Sequence, residues 1–309
     1  MQTSCIWDGL SVCKCFMTRL VLTLIYSVLT WATGSAVAVE KPLVVTSFTI
    51  IEDWTQVIGG EQFNVINIIP ARSEAHGFQL SPRHAKVLNQ AKLIVGISPD
   101  FEPWLAAWGK ANQKTATILW LNPEGGPKDE AGHAHNPHAW TDPSEVRKMV
   151  GKLSGQLAML SRDDRPQVAY NKYLKEIEQV DVALGDLFRG LNPDRRALIA
   201  HHANLDLFAR HYGLTVAGTI LEHGSAESAD PSARHFSDLL GIIRKQKVRV
   251  VVTDAGQNDA FARRLTEDAG LPAPLALSFE SLAPRGQPGD TWVTMMLSNG
   301  RRLHKALLE

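Results

Sequence analysis

Residues 165–191 read RPQVAYNKYLKEIEQVDVALGDLFRGL. Tyr170, Leu174, Ile177, Val180, Leu184 and Leu187 recur there at steps of three or four, with Lys172, Lys175, Glu176, Glu178 and Asp181 between them. That spacing gathers the apolar side chains on one face of an α-helix and leaves the charges on the other. A helix of about 25 residues is about 38 Å long at 1.5 Å per residue, enough to run along a whole domain.

On either side the pattern changes. Upstream, Leu43–Phe48 (LVVTSF), Phe63–Ile69 (FNVINII), Ala91–Ile97 (AKLIVGI) and Ala116–Leu121 (ATILWL) are short, largely apolar runs. Such runs suit parallel strands covered on both faces. Ser81–Gln90 begins with a Ser-Pro helix start, and Pro143–Ser161 is polar and periodic like the long helix. Downstream, Arg196–His201, Leu214–Ile220, Val248–Thr253 and Pro274–Phe279 read as strands, with helices over Ala233–Gln246 and Asn258–Ala269. Strand and helix alternation on both sides predicts an α/β fold in two halves joined by long helices. No internal repeat is visible in the residues themselves.

The first 38 residues differ from the rest. Lys14 and Arg19 precede the apolar run Leu20–Trp31, and Ala36-Val37-Ala38 is a small-x-small cleavage site. This predicts a cleavable secretory signal peptide, too short in its apolar part for an ordinary spanning helix. Met17 also opens a complete signal, so it is an alternative start to Met1. The expected division is a signal peptide over 1–38, an N-terminal α/β lobe over 39–160, a linking helix over 161–191 and a C-terminal α/β lobe over 192–309.

Cys5, Cys13 and Cys15 all lie in the leader, none in a lipoprotein-like pattern. Beyond it the chain has no thiol, so a metal site there must use histidine and carboxylate. Lys+Arg equal Asp+Glu at 32 each, which leaves no basic field for nucleic acid or an anionic membrane.

Four residues stand out by position. His76 and His138 lie at loop–helix junctions, and His202 and Glu280 follow predicted strands. Ligands of α/β sheets bind at the carboxyl ends of the strands. Imidazole and carboxylate are ligands that zinc accepts in sets of four. More nitrogen than oxygen favours Zn²⁺ over Mn²⁺. Wide spacing means that such a site forms only when both halves fold and meet. A lone loop histidine is more often a surface residue than a ligand, so spacing alone leaves all four open. No HExxH, G-x-S-x-G, P-loop or G-x-G-x-x-G motif is present.

At these residues the chain resembles the cluster A-I metal-binding solute-binding proteins of ABC transporters, the zinc and manganese uptake family. Their D-P-H-x-W-x-D-P segment appears as Asn136-Pro137-His138-Ala139-Trp140-Thr141-Asp142-Pro143, and their D-P-H-x-Y-E-x-x-P segment appears more loosely from Glu74 through His76 to Pro82. Their H-D-A-F-x-Y-x-A-x-x-Y-G-L segment appears from His202 to Leu214. Counting back from Tyr212-Gly213-Leu214 selects His202, not His201. Asp230-Pro231-Ser232 resembles the family's E-P-S segment. Glu280-Ser281-Leu282, followed by Gly289-Asp290-Thr291-Trp292-Val293-Thr294-Met295-Met296, resembles the last one.

The resemblance implies two lobes, each with a central, mostly parallel sheet flanked by helices, joined by a long rigid linking helix. It implies an extracytoplasmic, periplasmic binding protein, not an enzyme, that captures a divalent metal between the lobes and delivers it to an ABC importer. The implied shell is His76, His138, His202 and Glu280. Glu280 replaces the family's usual Asp, and its extra methylene places the carboxylate differently or leaves room for a water. His202 stands where manganese-type members carry Glu, which points to Zn²⁺, with Mn²⁺ as the alternative. Gly132-His133-Ala134-His135 resembles a short form of the His-rich loop of zinc-specific members, an auxiliary place to hold metal weakly. Asp254 matches a family acidic residue outside the shell. The implied partners are the transporter's permease and a metallochaperone, with the protein a monomer. Competing readings are a manganese or iron(II) member of the family, a zinc-dependent hydrolase with Glu280 as general base, and an adhesin on the same fold.

Overall fold

A computed structural model of the chain describes residues 40–73, 75, 77–112, 117–124, 136–222 and 231–309. The expected leader, His76, Asp230 and the loop histidines His133 and His135 lie outside the described residues.

Two four-stranded parallel sheets organise the rest. The first has the order β2-β1-β3-β4, with β1 Leu43–Phe48, β2 Asn64–Ile69, β3 Leu93–Gly96 and β4 Thr117–Trp120. Val44 lies opposite Val65 on one side and Leu93 on the other. That central position explains why β1 is buried from Val44 to Phe48, whereas edge strand β2 alternates exposed and half-buried residues before its buried end. The second sheet has the order β6-β5-β7-β8, with β5 Ala197–Ala200, β6 Thr215–Thr219, β7 Val250–Asp254 and β8 Leu275–Leu277. The two orders are the same. In each, the chain reverses its direction of winding beside the first strand, which opens a crevice at the carboxyl edge.

Helices α1 Thr49–Gly59, α2 Pro82–Gln90, α3 Pro103–Ala111 and α4 Pro143–Ser161 accompany the first sheet. Helices α6 Asp206–Tyr212, α7 Ala233–Gln246 and α8 Ala260–Ala269 accompany the second. Local chemistry fixes several starts. Ser81 accepts the His84 amide ahead of α2, and Asp142 accepts the Ser144 amide at 2.8 Å ahead of α4. Gly213, at φ 70°, ends α6 in the left-handed conformation that glycine adopts without strain.

Helix α5, Arg165–Arg189, is the long helix read from the sequence. It buries Tyr173, Ile177, Val180, Leu184 and Phe188 and keeps Tyr170, Leu174 and Leu187 half-buried, so its apolar face is wider than the predicted stripe and turned toward Phe188. It packs against α1, α4 and α6 and against the C-terminal helix α9, Trp292–Leu308. Helix α9 approaches closely at Gly300, where a Cβ would overlap the Leu184 side chain. Lys41–Glu309 is one compact unit. A continuous apolar core runs through it from Val44 to Leu307 and includes residues of both sheets. A smaller cluster around Ile199, Leu239, Ile243 and Leu265 covers the other face of the second sheet. Burying one such aliphatic side chain contributes about 1.5–3 kcal/mol.

Polar contacts also cross between the halves. Trp140 Nε1 donates to the Phe279 carbonyl at 2.7 Å, and Trp292 Nε1 donates to the Trp140 carbonyl at 2.8 Å. The Leu282 amide donates to Thr49 Oγ1, and the Trp292 amide donates to Asp53 Oδ2, both at 2.9 Å. These bonds fix residues 279–292, and with them Glu280, against the first half.

Candidate metal centre

His138 leaves the loop after β4 and sits directly before a short 3-10 turn, Ala139–Thr141. It is buried, at 4% exposure. Phe101, Trp140 and His202 stand edge-on around its ring, with centroids 6.0, 5.2 and 5.1 Å away. Its Nδ1 lies 2.8 Å from Asn136 Oδ1, which also accepts the His138 amide at 3.0 Å. A carbonyl oxygen only accepts, so Nδ1 carries a proton and the nitrogen turned toward the site is Nε2. That Nε2 lies 3.0 Å from Glu280 Oε1.

His202 follows β5 and begins a 3-10 turn, Ala203–Leu205, that leads into α6. Its Nε2 lies 2.7 Å from the same Glu280 oxygen, and its Nδ1 lies 2.9 Å from Asp254 Oδ2 at the end of β7. Strand β5 pairs with β7, which is why Asp254 reaches the far side of this ring. Buried Asn204 donates to Asp254 Oδ1 at 2.9 Å and to Glu280 Oε1 at 3.3 Å, so one amide holds both carboxylates. Burial opposes a charge on His202. The bonds to Asp254 and Glu280 outweigh that cost and raise its pKa from 6.5 to about 11.

His138, His202 and Glu280 each offer one ligand atom within 4.8 Å of the others. The chemistry of this set fits a divalent ion. Two imidazole nitrogens point at one carboxylate oxygen, with Asn136 hydrogen-bonded behind the His138 ring and the Asp254 carboxylate 2.9 Å behind the His202 ring. Such outer partners fix the tautomer and orientation of ligating histidines. Ligand atoms around a tetrahedral zinc are about 3.3 Å apart when the bonds are about 2.0–2.1 Å. The spacings of 2.7 and 3.0 Å must open by about 0.6 and 0.3 Å to reach that separation. The longer arm of Glu280 therefore reaches both rings.

Of the residues singled out in the sequence, the structure brings together His138, His202 and Glu280. His76, His133 and His135 lie outside the described residues. His201 points elsewhere. Its Nδ1 is buried without a hydrogen-bond partner, and burial lowers its pKa. One residue escaped sequence reasoning, Asn204 as a clamp on the two carboxylates, and nothing in its position signalled it. Asp254, set outside the shell by the family resemblance, stands behind the His202 ring.

Known proteins are similar to this one over most of the chain. The family model described as zinc-uptake complex component A, periplasmic (ZnuA), matches residues 44–306. The zinc-binding lipoprotein AdcA of Streptococcus pneumoniae is 24% identical over 279 residues, which cover 84% of this chain. The alignment takes in 54% of AdcA, so the chain spans about half the length of that relative. The iron-binding protein YfeA of Yersinia pestis is 26% identical over 267 residues, 83% of each chain. In fold, the cadmium-bound periplasmic metal-binding protein of Candidatus Liberibacter asiaticus superposes with a TM-score of 0.77 at 18% identity, covering 86% of this chain and all of that one. Its manganese-bound form gives 0.76 at 19%.

Proposed function

The chain belongs to the family of periplasmic zinc-uptake complex component A, and from that premise we propose that it captures Zn²⁺ between its two lobes and hands it to the permease of an ABC importer. The observation that carries this reading is the convergence of His138, His202 and Glu280 on one point. His76 completes the shell from the loop after β2. With three imidazoles and one carboxylate, the shell is saturated. It leaves no open position for a substrate, which separates a binding site from a catalytic zinc.

The same proposal divides the chain into a signal peptide over 1–38, an N-terminal lobe over 39–160, a linking helix over 161–191 and a C-terminal lobe over 192–309. Export by that leader places the protein in the periplasm. There it acts as a monomer that docks on the permease, with a metallochaperone able to load it. His133 and His135 gather metal weakly ahead of the main site. Among the described residues, no helix is long and apolar enough to cross a membrane.

Competition titration of the purified protein with Zn²⁺ and Mn²⁺ tests the choice of metal. Nitrogen-rich sites follow the Irving–Williams order, so zinc is expected to bind more tightly. Tighter binding of Mn²⁺ would overturn the zinc assignment and favour an oxygen-richer shell.

A further inference from the structure

A cavity of about 570 Å³ opens between the carboxyl edge of β7 and β8 and the helix α9. Asp254 and Glu280 form part of its wall, and Arg72 and Arg302 form another part. It is far larger than a single ion needs. Its size falls in the range of pockets that hold small organic molecules, roughly 300–1,000 Å³.

The charges are the informative feature. Arg72 gives one guanidinium nitrogen to the neutral side chain of Gln287 at 2.5 Å, and neither arginine is ion-paired among the described residues. A divalent ion held by neutral imidazoles has its charge cancelled by Glu280 and Asp254. The two arginines then leave an excess of two positive charges beside the cation site. For a protein whose cargo is a bare cation, such a field works against capture. The conflict disappears if an anion enters with the metal. Guanidinium groups are suited to carboxylates, which they grip with two parallel bonds. Ser281, Ser298 and Asn299 add hydroxyl and amide groups to the same wall.

We propose that this cavity binds a small polycarboxylate anion beside the filled metal site, so that metal and anion are taken up together as a charge-compensated pair. This rests on the metal-capture reading above. The arginines hold the anion's carboxylates, and the carboxylate nearest Glu280 lies beside the ion's four ligands, outside the shell.

Citrate is the probe. Zinc retention is measured by equilibrium dialysis at fixed free Zn²⁺, with and without citrate, on the wild type and on the Arg72→Ala/Arg302→Ala double variant. Coupled sites commonly change each other's affinity by about 5–150-fold. The expected result is that citrate lowers the free zinc needed for half-saturation about tenfold in the wild type and less than about twofold in the double variant. Labelled citrate should be retained one per zinc-loaded protein, and not by zinc-free protein. Arg302→Ala, on the exposed side of α9, should by itself weaken the citrate effect without altering citrate-free zinc binding. Zinc binding that ignores citrate in the wild type overturns the inference and leaves the metal-capture reading standing. So does a citrate effect that survives in both variants, or an equal effect from inorganic phosphate. Failure to retain zinc with or without citrate overturns both.

Discussion

His202 and His211 both lie between two carboxylates, yet their surroundings differ in sign and in convergence. His202 faces Asp254 and Glu280 at 2.9 and 2.7 Å, and a second imidazole, His138, points at the same Glu280 oxygen. His211 faces Asp142 and Asp181 at 3.0 and 2.7 Å, but the additional group there is Arg147, 3.3 Å from Asp181. With His211 protonated, that second cluster has two positive and two negative charges and is balanced. The first has two carboxylates in contact with one protonated imidazole, His202, so a negative charge is left over among the contacting groups at the point where the two rings converge. A carboxylate–imidazole pair is therefore no sign of a metal site by itself. Convergence on one point and an unmet need for positive charge make the difference. The balanced cluster acts as a strut. It ties the cap of α4, the middle of α5 and the end of α6 together.

The largest contrast is expected in zinc affinity. His202→Ala should weaken zinc binding more than a hundredfold, beyond the 10- to 100-fold that loss of an outer partner typically causes. His211→Gln should change it less than about threefold, since it touches no ligand in the structure. Isothermal titration of both variants checks the pair, and equal losses would erase the distinction. Asp254→Asn should fall between them at about 10- to 100-fold, because it removes the charge behind His202 Nδ1 and leaves the ligand set intact.

A further contrast concerns protons. His202 holds its proton until about pH 11 in the metal-free protein, so zinc must displace it at neutral pH. Zinc affinity should then rise about tenfold per pH unit between roughly pH 7 and 9, with one proton released per ion. Calorimetry in buffers of different ionisation enthalpy reads that number, and a value of zero contradicts the assignment.

His211 should show its proton in stability instead. Its bond to Asp142 leads the causes that raise its pKa from 6.5 to about 9, with burial opposing and the bond to Asp181 adding. The folded state therefore binds this proton more tightly than the unfolded chain. The stabilisation is complete below pH 6.5 and is lost as the pH rises through about 9. His211→Gln should cost about 1–2 kcal/mol at pH 6 and almost nothing near pH 10, as read from denaturant unfolding at each pH.

The sequence was most legible where burial is continuous. The run Leu43–Phe48 is read and observed with the same limits, because a strand covered on both faces is buried without a break from Val44 to Phe48. Strands β5 to β8 are shorter than their apolar runs, since residues such as His201 and Phe279 stay buried after the ladder has ended. Helices α1 and α3 went unread; α1 follows β1 with no loop between them, and neither begins with a side-chain cap. Helix α9 did carry a signal, the reciprocal Thr291–Thr294 cap followed by buried Trp292, Met295, Met296, Leu303 and Leu307. In the site, counting from Tyr212-Gly213-Leu214 selected the histidine that the structure sets against Glu280. The contacts of Asn204 with Asp254 and Glu280 join residues 50 and 76 positions apart, and only tertiary packing reveals them. The equal strand order of the two sheets was equally hidden, since topology leaves no trace in residue identity.

The most direct test is anomalous diffraction at the zinc edge on crystals of the zinc-loaded protein. A single strong peak is expected about 2.0–2.2 Å from His138 Nε2, His202 Nε2 and Glu280 Oε1, with His76 as the fourth ligand. A peak that leaves any of those three atoms beyond bonding distance, or that lies against His211, would contradict the account.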